Sequence, residues 1–288
     1  MNKYYDEIMQ LIGAEEFKAL IKKWDNLSEN VRNHYGTLPR LLPDLLWVGN
    51  SGIGRTRLMS LMSEYVAAQG NLFNFYGDVK YFEFLLSYTP KDRPFEELRR
   101  LEDELAAAKG FRESFGGAIL IDIAAWAKHY DELYFISFME YLAAHSDQWI
   151  IVLSVPEMEK EKLNNLEAFL SMYLRLEKVT LTMPETEQLY TFVEKALLGY
   201  NLRIDDSGKA LLIGTINEMR ENPYFDGFKT LEMLCQDIIY ERFSTGDPSK
   251  MLLGEQDLSA FAPESHYVKK IIKNSEKVRR IGFNRGEE

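Results

Sequence analysis

The stretch LLWVGNSGIGRTRLMSLMSEYV, residues 45–66, constrains the fold more than any other part of the chain. LLWV is an apolar run of strand length, stopped by Gly49. Gly49, Gly52 and Gly54 permit a tight turn whose backbone N–H groups point inward. Leu58, Leu61, Met62, Tyr65 and Val66 then share one face of a helix. A strand apolar on both sides, joined by such a turn to a helix, belongs to a parallel sheet with its faces covered. Within it, GNSGIGRT (Gly49, Asn50, Ser51, Gly52, Ile53, Gly54, Arg55 and Thr56) has the spacing G-x-x-x-x-G-K-[ST] of a loop that cradles phosphates. Arg55 stands in the lysine slot.

The rest of the chain extends this unit. Apolar runs at NLFNFYG (71–77), GGAILIDIAAW (116–126), QWIIVLSVP (148–156) and KVTLTMP (178–184) read as strands. Helical patterns fall between them at 94–111 and 134–147. Residues 3–35 read as helical, with Leu20, Ile21, Trp24, Leu27 and Val31 at spacings of three and four, before a Gly- and Pro-rich loop. After Pro184 the pattern changes to three amphipathic segments, ETEQLYTFVEKALLGY, DDSGKALLIGTINEMREN and GFKTLEMLCQDIIYERF, with no strand signal. The expected class is α/β: a parallel sheet flanked by helices, followed by a small all-α domain. The expected boundaries are 1–36 for an N-terminal helical segment, 37–184 for the α/β domain, 185–243 for the helical domain and 244–288 for a polar tail. The tail's VKKIIKNSEKVRR is a basic amphipathic stretch suited to docking on the body or on a partner.

Composition removes several classes of function. With 34 basic and 45 acidic residues among 288, the formal net charge is −11, which argues against non-specific nucleic-acid binding by the whole chain. Cys235 is the single cysteine, so the chain has neither a disulfide framework nor a cysteine metal site, and Cys235 is expected as a small buried hydrophobe. Histidines 34, 129, 145 and 266 share no zinc-ligand spacing. No run approaches a membrane span and the first residues carry no signal-peptide pattern, so the expected compartment is the cytoplasm.

The loop has a chemical partner downstream. ILID (119–122) is an apolar strand ending in Asp122, whose carboxylate is placed to hold Mg²⁺ through water, opposite the Thr56 hydroxyl.

Five blocks in order, LIGAEEFKALI (11–21), GNSGIGRT, ILIDIAAW (119–126), IIVLSVPEMEKEKL (150–163) and FDGFKTLEMLCQDII (225–239), resemble the AAA+ ATPases, in the rubisco-activase-like CbxX-type branch. The resemblance spans about residues 8–245. It implies a P-loop NTPase domain and a helical lid with ATP or ADP between them, and assembly into a ring, usually of six, that remodels protein clients. It implies phosphate-sensing roles for Ser154 and for Lys229 of GFKT, and it puts the arginine-finger segment at FLSMYLRLE (169–177), where Arg175 is the one arginine within reach. The family's threading loop corresponds to GDVKYFEFLLSY (77–88), leaving Tyr81, Phe82 and Phe84 open between pore and core.

The departures fall on catalysis. Where the family carries the glutamate that orients the attacking water, this chain has Ile123, which accepts neither a proton nor a hydrogen bond. Arg55 keeps a positive charge as a longer planar fork. Three functions stay open: a degenerate module that binds ATP or ADP with impaired hydrolysis, a slow but genuine ATPase whose missing groups are supplied by non-equivalent residues such as Glu83 or Asp78 or by a partner subunit, and a nucleotide-free scaffold. Protein clients, or partner subunits in a homo- or hetero-oligomer, are the expected partners.

Overall fold

The structure, a computed structural model, describes residues 3–32, 42–69, 80–88, 96–108, 117–146, 149–222, 225–245 and 251–270. By internal contacts the chain divides into two units, Met1–Asn50 with Arg55–Thr182, and Ser51–Gly54 with Met183–Glu288.

In the first unit, β1 (Asp44–Val48), β2 (Lys80–Leu85), β3 (Gly117–Asp122), β4 (Trp149–Val155) and β5 (Leu176–Thr180) form one sheet in the order β2-β3-β4-β1-β5. Every pairing is parallel. The helices are α1 (Lys3–Met9), α2 (Glu15–Arg32), α3 (Arg55–Ala68), α4 (Glu96–Ala108), α5 (Leu133–Ala144) and α6 (Lys160–Leu170). Alternate residues of the apolar strands supply two cores. Leu46, Val48, Ile119, Ile121, Leu153 and Val155 pack with Leu101, Phe138, Leu142 and Leu166 of α4, α5 and α6. On the opposite side Trp47 meets Phe17 of α2 edge-on, with ring centroids 5.9 Å apart. That both sets are buried explains why these strands read as unbroken apolar runs. Strand order reverses beside β1, since β3 and β4 lie on one side of it and β5 on the other. A crevice outside the carboxyl ends of parallel strands at such a switch is where open α/β sheets bind ligands.

Several local expectations are corrected. The helical stretch near the N-terminus is two helices, because Gly13 and Ala14 take φ of 71° and 57° and break the ladder between α1 and α2. Lys80–Leu85 is an edge strand rather than a threading loop. There Phe84 is buried in the core, Phe82 packs partly against it, and Tyr81 is 36% exposed. The run at 71–77, Asp78 and residues 271–280 of the basic stretch lie outside the described residues. Helix α6, unassigned from sequence, is anchored by Leu166 and Leu170.

The second unit holds α7 (Thr186–Leu198), α8 (Asp206–Arg220) and α9 (Gly227–Thr245). It is not purely helical: β6 (Arg203–Ile204) pairs in parallel with β7 (Leu252–Leu253). Such a two-residue ladder has no period to read, which is why no strand signal stands in the sequence. Its core joins Leu189, Val193, Leu212, Ile216, Leu234 and Cys235 to Leu253, Leu258, Phe261 and Val268. Cys235 is 3% exposed, as a small buried hydrophobe would be.

Candidate functional site

The turn after β1 has the geometry its glycines allow. Gly52 and Gly54 hold φ of 81° and 83°, a region that side chains disfavour. Gly52 also has no room for one. A Cβ there would run into the Asp226 carbonyl, while the Gly52 carbonyl accepts the Phe228 N–H at 2.9 Å, all within the second unit. Ile53 is buried. On the sheet side, the Gly49 N–H donates to the Val155 carbonyl at 3.0 Å, and the Asn50 amide oxygen accepts the Glu157 N–H at 3.3 Å.

Arg55 and Thr56 open α3, where unpaired backbone N–H groups and the helix dipole favour an anion. Parallel register brings Asp122 of β3 beside Ser154 of β4, and Ser154 beside Trp47 of β1. Arg55 reaches across this row. Its Nη1 donates to Ser154 Oγ at 2.9 Å and lies 3.5 Å from Asp122 Oδ2. The other carboxylate oxygen, Oδ1, accepts the Ala124 N–H at 2.9 Å, which holds the short turn after β3. Thr56 Oγ1 lies 3.4 Å from Glu83 Oε2. Sequence alone offers Glu83 only as a substitute base, with nothing to place it beside the loop. The signal that could have placed it is alternation: Phe82, Phe84 and Leu86 point inward, and Tyr81, Glu83 and Leu85 outward.

Side chains of Arg55 and Asp122 are 23% and 28% exposed. A pair so placed is worth on the order of 1 kcal/mol after screening. It therefore orients the guanidinium without adding much to fold stability. Ser154, by contrast, is buried.

The remaining expected residues lie elsewhere. Ile123 points away from this row into the α4–α6 core, fully buried, and its N–H donates to the Ser154 carbonyl at 3.0 Å. Arg175 is exposed just before β5, and its carbonyl accepts the Asp44 N–H at 2.9 Å. It thus stands at the amino end of β1, opposite the end that carries the loop. Lys229 is exposed near the start of α9, 4.0 Å from Asp226.

Solved structures are similar to this chain only at low identity. They include Hsp104, in a closed-state reconstruction with ATPγS and FITC casein, at 13% identity and a TM-score of 0.46 over 97% of this chain and 48% of that one. Two point mutants of Thermotoga maritima RuvB follow. The proline-to-glycine mutant matches at 13% identity and a TM-score of 0.49, over 94% of this chain and 79% of that one. The arginine-to-alanine mutant matches at 14% and 0.47, over 94% and 71%. This chain therefore spans about half the length of the Hsp104 chain. No family profile and no curated protein matches it. With identities and TM-scores this low, the sheet order and the side-chain geometry carry the reading of the site.

A divalent cation is the usual partner of a phosphate loop's threonine and aspartate. Magnesium requires near-octahedral oxygen ligands and tolerates little distortion. Here both Asp122 oxygens have protein partners, one of them itself a cation, while the Thr56 hydroxyl donates toward Glu83 and keeps its oxygen lone pairs. As arranged, the donor set fits a guanidinium better than it fits Mg²⁺.

Proposed function

We propose that the chain is a degenerate AAA+ module, near the rubisco-activase-like CbxX-type branch. It binds ATP or ADP, turns it over slowly or not at all, and serves as a regulatory or structural component of protein remodelling or assembly. Loop residues 49–56 and Ser154 are the proposed phosphate contacts, with Lys229 as a further cation. The second unit plays the part of a lid. Arg175, exposed at the far end of β1, is suited to acting on a neighbouring subunit of a ring rather than on its own loop.

One observation carries the hydrolytic part of this reading. The residue after Asp122 is a fully buried isoleucine within the core, so no carboxylate stands there to orient water. The anion-binding part is supported by the left-handed glycines before α3 and by the convergence of Arg55, Asp122 and Ser154. Thermal unfolding with saturating ATP or ADP tests binding. At about 100 times Kd a ligand adds roughly 2.7 kcal/mol, or on the order of 5–10 °C. Turnover above background is expected to be absent. Hydrolysis at several per second that disappears in Thr56→Ala would overturn the reading.

A second reading has one observation behind it: Glu83 lies 3.4 Å from the Thr56 hydroxyl. If Glu83 supplies the missing base, wild-type protein hydrolyses ATP slowly and Glu83→Gln abolishes the activity while leaving binding intact.

A further inference from the structure

Among the described residues, Arg55 spends only part of its hydrogen-bonding capacity on the protein. One terminal nitrogen, Nη1, serves both Ser154 and Asp122. A guanidinium has five N–H donors in a rigid fork, so with Nη1 engaged the edge formed by Nε and Nη2 points in a second, fixed direction that a single ammonium nitrogen does not offer. The carboxylate that would balance a metal ion is engaged on both oxygens, by Arg55 and by the Ala124 N–H. The threonine hydroxyl lies against Glu83, a negative group that ordinary phosphate loops do not need at that point.

Resting on the nucleotide-binding reading above, we infer that Arg55 is the resident cation of this site and that the site takes a nucleoside diphosphate without Mg²⁺. Asp122 holds Arg55 rather than a metal. Nη1 stays on Ser154 and Asp122, and the free edge of the fork, Nη2 with Nε, turns to the phosphate oxygens in the bidentate manner guanidinium groups favour. The backbone N–H groups of the loop and the first turn of α3 supply the remaining donors. A diphosphate fits this arrangement better than a triphosphate. With the Arg55 guanidinium already shared with Asp122, and Glu83 beside Thr56, a γ-phosphate would add negative charge next to a carboxylate. The substitution of lysine by arginine is then the change that makes the metal dispensable.

Isothermal titration of the full chain with ADP, once in EDTA and once in excess Mg²⁺, tests this. The expected result is a Kd equal within about threefold in the two solutions. Arg55→Ala should weaken ADP more than tenfold in EDTA while its melting curve without nucleotide stays close to wild type. Binding more than tenfold tighter in Mg²⁺, abolished by Asp122→Asn, would overturn the inference and leave the nucleotide-binding reading standing. No heat in either solution up to millimolar ADP would overturn both. If Arg55→Ala is too unstable to titrate, Arg55→Lys replaces it, and unchanged affinity of that variant in EDTA would count against the fork.

Discussion

Among single residues, the informative positions are those where identity and surroundings disagree with an ordinary phosphate site. Ile123 is the clearest. Placing a glutamate there is the direct test of whether this position can support hydrolysis, but the side chain is enclosed by the α4–α6 core. Burying an unpaired carboxylate costs several kcal/mol, so Ile123→Glu is expected to lower the urea midpoint sharply and to yield no ATPase activity. Gly52 makes the opposite point, since a positive φ and the adjacent Asp226 carbonyl both exclude a side chain. Gly52→Ala should destabilise by more than the roughly 1 kcal/mol of a simple left-handed penalty, measured by chemical denaturation. Cys235 is quieter. Burial first, and then the negative charge of Glu232, push its thiol up to about 12. The thiolate is the reactive form, so Cys235 should resist a thiol reagent at pH 8 in native protein and react at once in denaturant.

Between elements, a small polar network links α2 to α3, the loop-bearing helix. Tyr65 OH donates to Asp25 at 3.1 Å, the Gln69 amide donates to the same oxygen at 3.3 Å, and Ser28 donates to Gln69 at 2.8 Å. Tyr65 is fully buried, and burial first, with Asp25 beside it, raises its phenol well above the ordinary value. The hydroxyl therefore stays protonated and donating. Removing the shared acceptor takes a hydrogen bond from Tyr65 and another from Gln69 in a buried setting, so Asp25→Ala should cost about 1–3 kcal/mol, while Asp25→Asn should cost less. The element that sequence reading missed is instructive in the same way. Helix α6 has Leu163, Leu166 and Leu170 at spacings of three and four. The signal was present, but it begins inside the charged run EMEKEK.

For the molecule as a whole, the α4–α6 core of the first unit and the core of the second imply separate sets of cooperative contacts. The residues that line the α4–α6 core and those that line the core of the second unit have no member in common. Leu153→Ala and Leu212→Ala, one in each and both fully buried, should each cost about 2–5 kcal/mol. Their effects should add within roughly 0.5 kcal/mol in equilibrium unfolding. A shortfall larger than that would mean the units stabilise one another. The excess of acidic residues acts at this scale too: at a net charge of −11, a mobility-shift titration with duplex DNA at physiological salt should show no retained complex. Among the described residues, no helix is long and apolar enough to cross a membrane.

The parallel sheet is legible in the order of the residues, because strands buried on both faces must be apolar throughout. Four of its five strands stand where the apolar runs lie, with ends shifted by up to four residues. The glycine turn is legible as well, since a left-handed backbone admits few residues, and so is the list of suspects Arg55, Thr56, Asp122 and Ser154. Which way those side chains point, and what they touch, is not. The register of β3 against β4, and the start of α3 across their ends, put a guanidinium between a carboxylate and a buried hydroxyl. The same limit applies to Ile123, whose missing carboxylate is visible in one letter but whose burial is not. Backbone periodicity is a local property that neighbouring residues enforce. Side-chain partnership across 67 and 99 positions, as for Arg55 with Asp122 and Ser154, exists only once the sheet has brought them together.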